Sequence, residues 1–283
     1  MNDPGEHAAL FARHRDRAFA RAYRLLGSVS DAEDVLQDTW LRWSSTPLAG
    51  IGSPEAWLVT VTSRLAIDRL RTAKARRETY VGPWLPEPVV EEAADEDVTL
   101  PLMLALERLS PLERAAFLLH DVFGLEFEEV ATTIGRDPAA CRQLAARARG
   151  HVRETRPRFQ VDKQHGLELA EAFFTASRSG DMKALAAMLA ADVSVHADGG
   201  GKRPAALQPT IGFDAVMKLH EFLAALFGKN ASKLVRTGFV NGLPGFITLE
   251  ADGELQATAL DIEQGKIAAI YVVRNPDKLK HLH

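Results

Sequence analysis

The segment Glu128 to Arg149, EEVATTIGRDPAACRQLAARAR, places guanidinium and carboxamide groups where they can hold phosphates and read base edges. Ala131 stands four residues before Gly135, as needed when two helices cross closely beside a turn that favours positive φ. Val130, Ile134, Cys141 and Leu144 supply the apolar contacts between the helices. Asp137 is placed to cap the second helix and Pro138 suits its first turn. Arg136, Arg142, Gln143, Arg147 and Arg149 are left facing outward. The pattern predicts a helix-turn-helix whose second helix reads DNA; an ordinary helical hairpin with a solvated basic face is the alternative.

The elements that position this segment fall into modules. From Glu6 to Arg77 the chain reads as helical. The apolar period of Leu10, Phe11, Phe19, Ala22, Tyr23, Leu25 and Leu26 stops at Gly27. Ser30 or Asp31 is expected to cap a second helix, DAEDVLQDTWLRWS, with Ala32, Val35, Leu36, Trp40 and Trp43 as its apolar side. Its other side is acidic. A loop from Ser44 to Ser53 leads to a third helix capped by Ser53, with Pro54 in its first turn and Trp57 expected in the core. The second module, about Thr99 to Phe159, opens on LPLMLALERL and continues with SPLERAAFLLHDVFG, where Ser110 and Glu113 have capping-box spacing.

From Gln164 the texture changes. Helical stretches at Glu168 to Ser177 and Met182 to Leu189 lead into DVSVHADGGGK, and a helix around Phe213 to Phe227 precedes four alternating runs: LVRTGFVN, GFITLEAD, LQATALDIEQ and KIAAIYVVRN. Helices followed by an antiparallel sheet indicate an α+β domain, a cone-shaped sheet wrapped around helices.

Charge is divided unevenly. The net charge is −4, yet Arg64 to Arg77 holds five Arg and one Lys against Asp68, and Arg136 to Arg158 holds seven Arg against Asp137 and Glu154. Between these basic patches, Glu87 to Asp97 has six acids and no base, and is read as a flexible acidic linker between two phosphate-facing modules; a solvated loop within one helical domain is the other reading. The single cysteine, Cys141, excludes an internal disulfide and a thiolate-rich metal site. The absence of a bilayer-length apolar run and of an opening secretory signal leads to the expectation of a soluble, cytoplasmic protein without a membrane partner.

The run LLGSVSDAEDVLQDTWLRW resembles the core-polymerase-binding region of bacterial sigma factors of the extracytoplasmic-function group. PEAWLVTVTSRLAIDRLR resembles their −10 region, and LSPLERAAFLLHDVFGLEFEEVATTIGRDPAACRQLAARAR their region 4. YVGPWLPEP at Tyr80 to Pro88, DGGGK at Asp198 to Lys202 and NPDKL at Asn275 to Leu279 resemble the sigma J-like subgroup, whose C-terminal extension is SnoaL-like. The implied architecture is multidomain: all-α region 2 at 1–78, a linker at 79–98, all-α region 4 at 99–160, and an α+β SnoaL-like domain at 164–283 related to the nuclear-transport-factor fold. Cys141 stands where the family more often has a β-branched residue; cysteine packs there as a small hydrophobe.

The resemblance implies a non-enzymatic factor, with no cofactor or metal, that lends promoter specificity to RNA polymerase and is a monomer when free. Asp31, Glu33, Asp34, Gln37, Asp38 and Leu41 would dock on the clamp coiled coil of the polymerase, with region 4 on its flap. At the −10 element, Arg64, Asp68, Arg69, Arg71, Lys74, Arg76 and Arg77 would line the DNA, while the Ser44 to Ser53 loop cups an unstacked base. At the −35 element, phosphates would be held by residues such as Arg149 and Arg153, and bases read by Arg142 and Gln143 within a face that includes Arg136, Ala139 and Arg147.

The third domain would be a fused regulator replacing a separate anti-sigma protein. Trp84, Leu85 and Pro86 form an apolar motif in a polar linker and want a covering surface, so contact with Asp198, Gly199, Gly200, Gly201 and Lys202 is expected. Asn275, Pro276, Asp277, Lys278 and Leu279 would fasten the C-terminus onto the sigma modules or the polymerase. His196, Asp198 and Asp261 are candidates for acid and base work at a pocket mouth, although their scatter favours a pocket without chemistry, open to an unknown small ligand. A ligand-responsive helix-turn-helix regulator is the competing class; it leaves the acidic DAEDVLQD helix and the Arg64 to Arg77 helix unexplained.

Overall fold

A computed structural model describes residues 4–91, 98–152, 162–227 and 232–282, with the side chains of Pro4, Lys74 and Arg76 excepted. The chain divides into two compact units, Met1–Glu78 with Leu102–Thr155, and Thr79–Pro101 with Arg156–His283. The linker thus belongs with the C-terminal domain, and the two sigma-like modules belong together.

In the first unit, α1 (Pro4–Leu26), α2 (Val29–Ser45) and α3 (Pro54–Glu78) pack pairwise. Gly27, with φ of 67°, ends α1. The cap of α2 is Ser28, whose side chain accepts the amide of Asp31. The expected cap at Ser30 or Asp31 is corrected by this: both already lie inside the helix, and only a hydroxyl at position 28 reaches a free first-turn N–H. Trp43 is fully buried, donates its indole N–H to the His7 carbonyl at 2.9 Å and packs against Trp57. The loop after α2 contains a short 3-10 turn, Leu48–Gly50.

The rest of this unit comprises α4 (Leu100–Glu107), which enters it at Leu102, then α5 (Pro111–Phe117), α6 (Phe127–Ile134) and α7 (Pro138–Val152). Ser110 and Glu113 close a reciprocal capping box on α5. The apolar run that follows does not stay α-helical; Leu118–Val122 widens to a π-helical turn with Leu118 and Leu119 buried. Gly135 closes α6 in the left-handed region at φ of 69°, and the Asp137 carboxylate accepts the Ala140 amide at 2.8 Å to start α7. Val130, Cys141, Leu144 and Ala145 fill the angle between these helices.

In the second unit a seven-stranded sheet runs in the order β1-β4-β5-β6-β7-β2-β3. Its members are β1 (Val90–Glu91), β2 (Leu189–Asp198), β3 (Thr210–Ile211), β4 (Lys233–Val240), β5 (Leu243–Leu249), β6 (Leu255–Glu263) and β7 (Lys266–Val273). All neighbours are antiparallel except β2 and β7. α8 (Lys163–Ser179), α9 (Met182–Met188) and α10 (Phe213–Phe227) lie on one face, against a core that includes Phe173, Leu185, Val193, Val216, Phe246 and Ile270. Asn241 at φ of 50° and Gly242 at 75° make the tight turn between β4 and β5, the conformation an Asn-Gly pair favours.

β1 is part of the linker. Glu87 is buried, Val90 and Glu91 pair with Val240 and Phe239, and Asn241 binds Val89 through both its amide and its side-chain oxygen. Leu100 donates its amide to the Asn241 carbonyl at 2.9 Å. The expectation of a flexible linker beginning at Glu87 is corrected over 87–91, where the backbone finds strand partners; its remaining acids, Glu92 to Asp97, lie outside the described residues.

Candidate nucleic-acid and protein interfaces

On α2, Glu33, Asp34, Gln37, Asp38 and Leu41 are exposed. Positions 34, 37, 38 and 41 form one stripe at helical spacing, with Leu41 an apolar spot 59% exposed among the acids. Asp31 is different. It is buried and accepts from Arg69 at 2.8 Å, so it holds α2 to α3 and offers no outward surface, a correction to its place on the docking face. Glu33 pairs with Arg15 at 2.8 Å.

The basic face of α3 is largely engaged within the unit. Arg64 donates to the Thr133 carbonyl at 3.1 Å and the Thr132 carbonyl at 2.6 Å, satisfying carbonyls at the end of α6. Arg69 bonds both Asp31 and Asp34. Arg77 is mostly buried, pairs with Glu107 and donates to the Leu26 carbonyl, while Glu107 also receives the buried Arg114. Burial pulls the Arg77 pKa down from its usual value, and the Glu107 charge opposes the shift. Three expected −10 contacts therefore serve as ties between helices here, because a guanidinium has five donors and the nearby carbonyls and carboxylates use them. Asp68 and Arg71 pair with each other and remain exposed. The expected contacts at Lys74 and Arg76 lie outside the described side chains.

On α7, Ala139, Arg142, Gln143 and Arg147 face solvent, as does Arg136 in the preceding turn. Arg142 lies over the Phe127 ring and reaches Glu128 at 3.2 Å; Arg147 reaches Glu113 at 3.1 Å and Arg149 reaches Asp121 at 2.7 Å. These exposed pairs are weak, on the order of 0–1 kcal/mol, and can yield to phosphate. Arg153 lies outside the described residues. Cys141 is fully buried and its thiol is pushed up by burial, which keeps it neutral.

The exposed basic side of α7 and the acidic stripe on α2 coincide with two family matches. The model for Sigma-70 region 2 matches residues 10–76, and that for Sigma-70, region 4 matches residues 99–152. ECF RNA polymerase sigma factor SigJ of Mycobacterium tuberculosis is 40% identical over 95% of this chain and 91% of its own length. This chain belongs to the ECF RNA polymerase sigma factors. The probable ECF sigma factor SigI of the same species is 32% identical, covering 97% of this chain and 95% of that one. The crystal structure of Mycobacterium tuberculosis SigJ superposes with a TM-score of 0.77 at 36% identity, over 96% of this chain and 98% of that chain. The sigma factor thus carries helical regions 2 and 4 followed by an α+β domain. Among the described residues no helix is long and apolar enough to cross a membrane.

The three subgroup motifs meet in the second unit. Asp198, fully buried at the end of β2, accepts the Tyr80 hydroxyl at 2.5 Å, the Leu85 amide at 2.9 Å and the Lys278 ammonium at 2.7 Å. Lys278 also donates to the Leu85 carbonyl at 2.5 Å, and its ammonium lies over the Tyr80 ring at 4.7 Å and the Trp84 ring at 4.3 Å. Leu85, Pro86 and Leu279 are buried, and the Asn275 amide donates to the Tyr80 hydroxyl at 2.8 Å. A Cβ on Gly200 would lie 2.2 Å from that amide nitrogen, and one on Gly199 would lie 2.2 Å from the Arg203 carbonyl. Glycine lets the linker approach this closely. Gly201 has φ of 70°, which an L side chain tolerates poorly, and Lys202 pairs with Asp277 across the motifs. NPDKL, expected to grip the sigma modules or the polymerase, instead grips Tyr80, Leu85 and Asp198, with Pro276 and Asp277 opening a 3-10 turn.

The pocket expectation is also corrected. His196, Asp198 and Asp261 do not line the cavity of the domain; Val195 and Ala197 on β2 do, and strand alternation turns their neighbours to the other face. His196 instead stacks on Tyr271. Burial first, with Glu263 adding, raises the Asp261 pKa to about 6.

Proposed function

We propose that this sigma factor directs core RNA polymerase to its promoters through separate faces of regions 2 and 4, and that its C-terminal domain regulates access to them by holding the interdomain linker. The domain assignment follows the motifs: region 2 at 1–78, linker at 79–98, region 4 at 99–160 and the SnoaL-like domain at 164–283. On α2, Asp34, Gln37, Asp38 and Leu41 offer acids around an apolar spot, suited to a basic coiled coil such as the polymerase clamp, while region 4 would meet the flap. Arg142 and Gln143 would read base edges in the −35 element, with Arg136, Arg147 and Arg149 on phosphates.

The observation that carries the regulatory reading is the buried Asp198 carboxylate, which takes hydrogen bonds from Tyr80, Leu85 and Lys278. The described part of the linker between regions 2 and 4 is thereby tied to the C-terminal domain. Releasing it would let their spacing change to fit a promoter on the polymerase, so the domain acts in cis where other systems use a separate anti-sigma protein. The −10 contacts follow the same logic, because Arg64, Arg69 and Arg77 would have to leave their present partners to reach DNA.

The test is in vitro transcription with bacterial core polymerase on a pool of promoter fragments, comparing the full chain with a truncation after Arg158. Transcripts from a shared −10/−35 pair, with yield altered by the truncation, are the expected result. Equal yields from both proteins would remove the regulatory role, and no initiation from either would sink the reading of the α2 and α7 faces.

A further inference from the structure

The loop that follows α2 is tied to a side chain far from it in sequence. His7, on α1, is 1% exposed, and its Nε2 lies 2.9 Å from the carbonyl oxygen of Thr46. A carbonyl only accepts, so the imidazole is the tautomer that carries its proton on Nε2. Trp43 returns a bond: its indole N–H donates to the His7 carbonyl at 2.9 Å, and the two rings meet edge to face at 5.6 Å. Trp43 in turn packs at 5.3 Å against Trp57, near the start of α3.

Thr46 is the residue at which the chain leaves α2. Its amide bonds the Trp43 carbonyl, and the hydroxyls of Ser44, Ser45 and Thr46 take the carbonyls of Leu41 and Arg42, so local groups close the helix end. The Thr46 carbonyl is answered instead from α1, 39 positions away. That carbonyl belongs to the peptide plane leading into Pro47, whose ring holds φ at −63°. Plane and ring together set the direction in which residues 47–52 depart. At the far end the Ser53 side chain accepts the Ala56 amide at 3.2 Å and starts α3. Between the two ties Pro47, Ala49, Gly50 and Gly52 are exposed, so the loop presents an open tip on two fixed ends.

We infer that His7 is a positioning residue for −10 recognition: its bond to the Thr46 carbonyl aims the Ser44 to Ser53 loop, and thereby selects the base that the loop admits. The inference rests on the promoter reading above, with that loop cupping an unstacked base of the −10 element. His7 precedes residues 10–76, the span matched by the region 2 model, so this control comes from outside that span. Packing beside Trp43 requires only an apolar body, whereas aiming the loop requires a donor, and the two roles part under substitution.

The experiment measures transcription by core polymerase carrying the full chain, on a promoter drawn from the fragment pool and on its single-base variants in the −10 and −35 elements. His7→Phe keeps an aromatic ring beside Trp43 but has no donor. It should cut discrimination at one −10 base about fivefold while leaving −35 discrimination unchanged. His7→Gln, whose carboxamide can donate to the same carbonyl, should keep most of the native discrimination. Native discrimination in His7→Phe, loss at −10 and −35 alike, or a loss in His7→Gln equal to that in His7→Phe would each overturn the inference. The double change Leu48→Ser with Ala49→Ser separates it from the reading beneath. A shifted −10 preference there with none in His7→Phe sinks the inference alone, and no shift in either sinks the reading of the loop as well. If His7→Phe does not fold, His7→Met, apolar and adaptable, takes its place with the same outcomes.

Discussion

Lys278 donates its ammonium to Asp198 at 2.7 Å with both side chains nearly shut off from water, 8% and 0% exposed. Such a pair is poor evidence of net stability, but breaking it from one side strands a buried charge. Asp198→Asn should therefore cost about 3–5 kcal/mol of local stability, whereas the double change Asp198→Asn with Lys278→Met should cost clearly less. Hydrogen exchange at the Leu85 and Val89 amides measures this. Equal loss of protection in the single and double variants would mean that the ion pair is not what holds the linker.

Gly200→Ala is predicted to loosen the same linker by a different route. The added methyl would collide with the Asn275 amide and, at 2.8 Å, with the Tyr80 hydroxyl. Trypsin cleavage after Arg76 or Arg77 should then accelerate several-fold while the sheet stays folded. Unchanged cleavage would show that the turn can move aside.

If the exposed basic face of α7 meets DNA as proposed, removing an acid next to it should strengthen DNA binding. Asp121 holds Arg149 at 2.7 Å. Asp121→Asn frees that guanidinium for a phosphate, so the affinity of the polymerase-bound protein for promoter duplex should rise a few-fold and steepen in its salt dependence by about one unit of slope. Arg149→Ala should weaken binding across all sequences, whereas Arg142→Ala should cost about 1–3 kcal/mol on the preferred −35 sequence and less on others. Competition binding at several salt concentrations separates these cases.

The stability of the C-terminal domain should depend on pH through His220. Its pKa is about 4 when folded against 6.5 when unfolded, so between those values the unfolded chain binds the extra proton. Stability is intact above pH 6.5, falls as the pH drops towards 4 and then levels. The loss is on the order of 3 kcal/mol. Unfolding curves for His220→Phe should lack this component; identical pH profiles for the two proteins would mean that the histidine titrates normally.

Much of this fold was legible in the sequence because its signals are local. Gly135, Asp137 and Pro138 announce the turn and start of α7, and Ser110 with Glu113 announces α5, each through groups a few residues apart. Four of the strands of the C-terminal sheet were visible as alternating runs. What escaped reading was long-range. Nothing near Arg64 says that carbonyls of Thr132 and Thr133 will take its donors, and nothing near Val90 says that Val240 will pair with it. The roles of Arg64, Arg69 and Arg77 were read from charge alone, and charge does not reveal whether a guanidinium already has partners. The burial of His220 was missed for the opposite reason: one histidine in an apolar helix carries no pattern, and only the packing of α10 on the sheet shows that its Nε2 is left without a partner among the described residues.

The two-residue strand β1 has a consequence for any state in which the linker leaves. Val90 and Glu91 cover the edge of β4 at its C-terminal end, beside Val240 and Phe239. Without them the edge of β4 is bare through Phe239 and Val240 as well, a longer row of unpaired N–H and C=O groups that invites another strand to dock. An opened molecule would therefore be adhesive along that edge, prone to pairing with a second copy or with any extended peptide that arrives first.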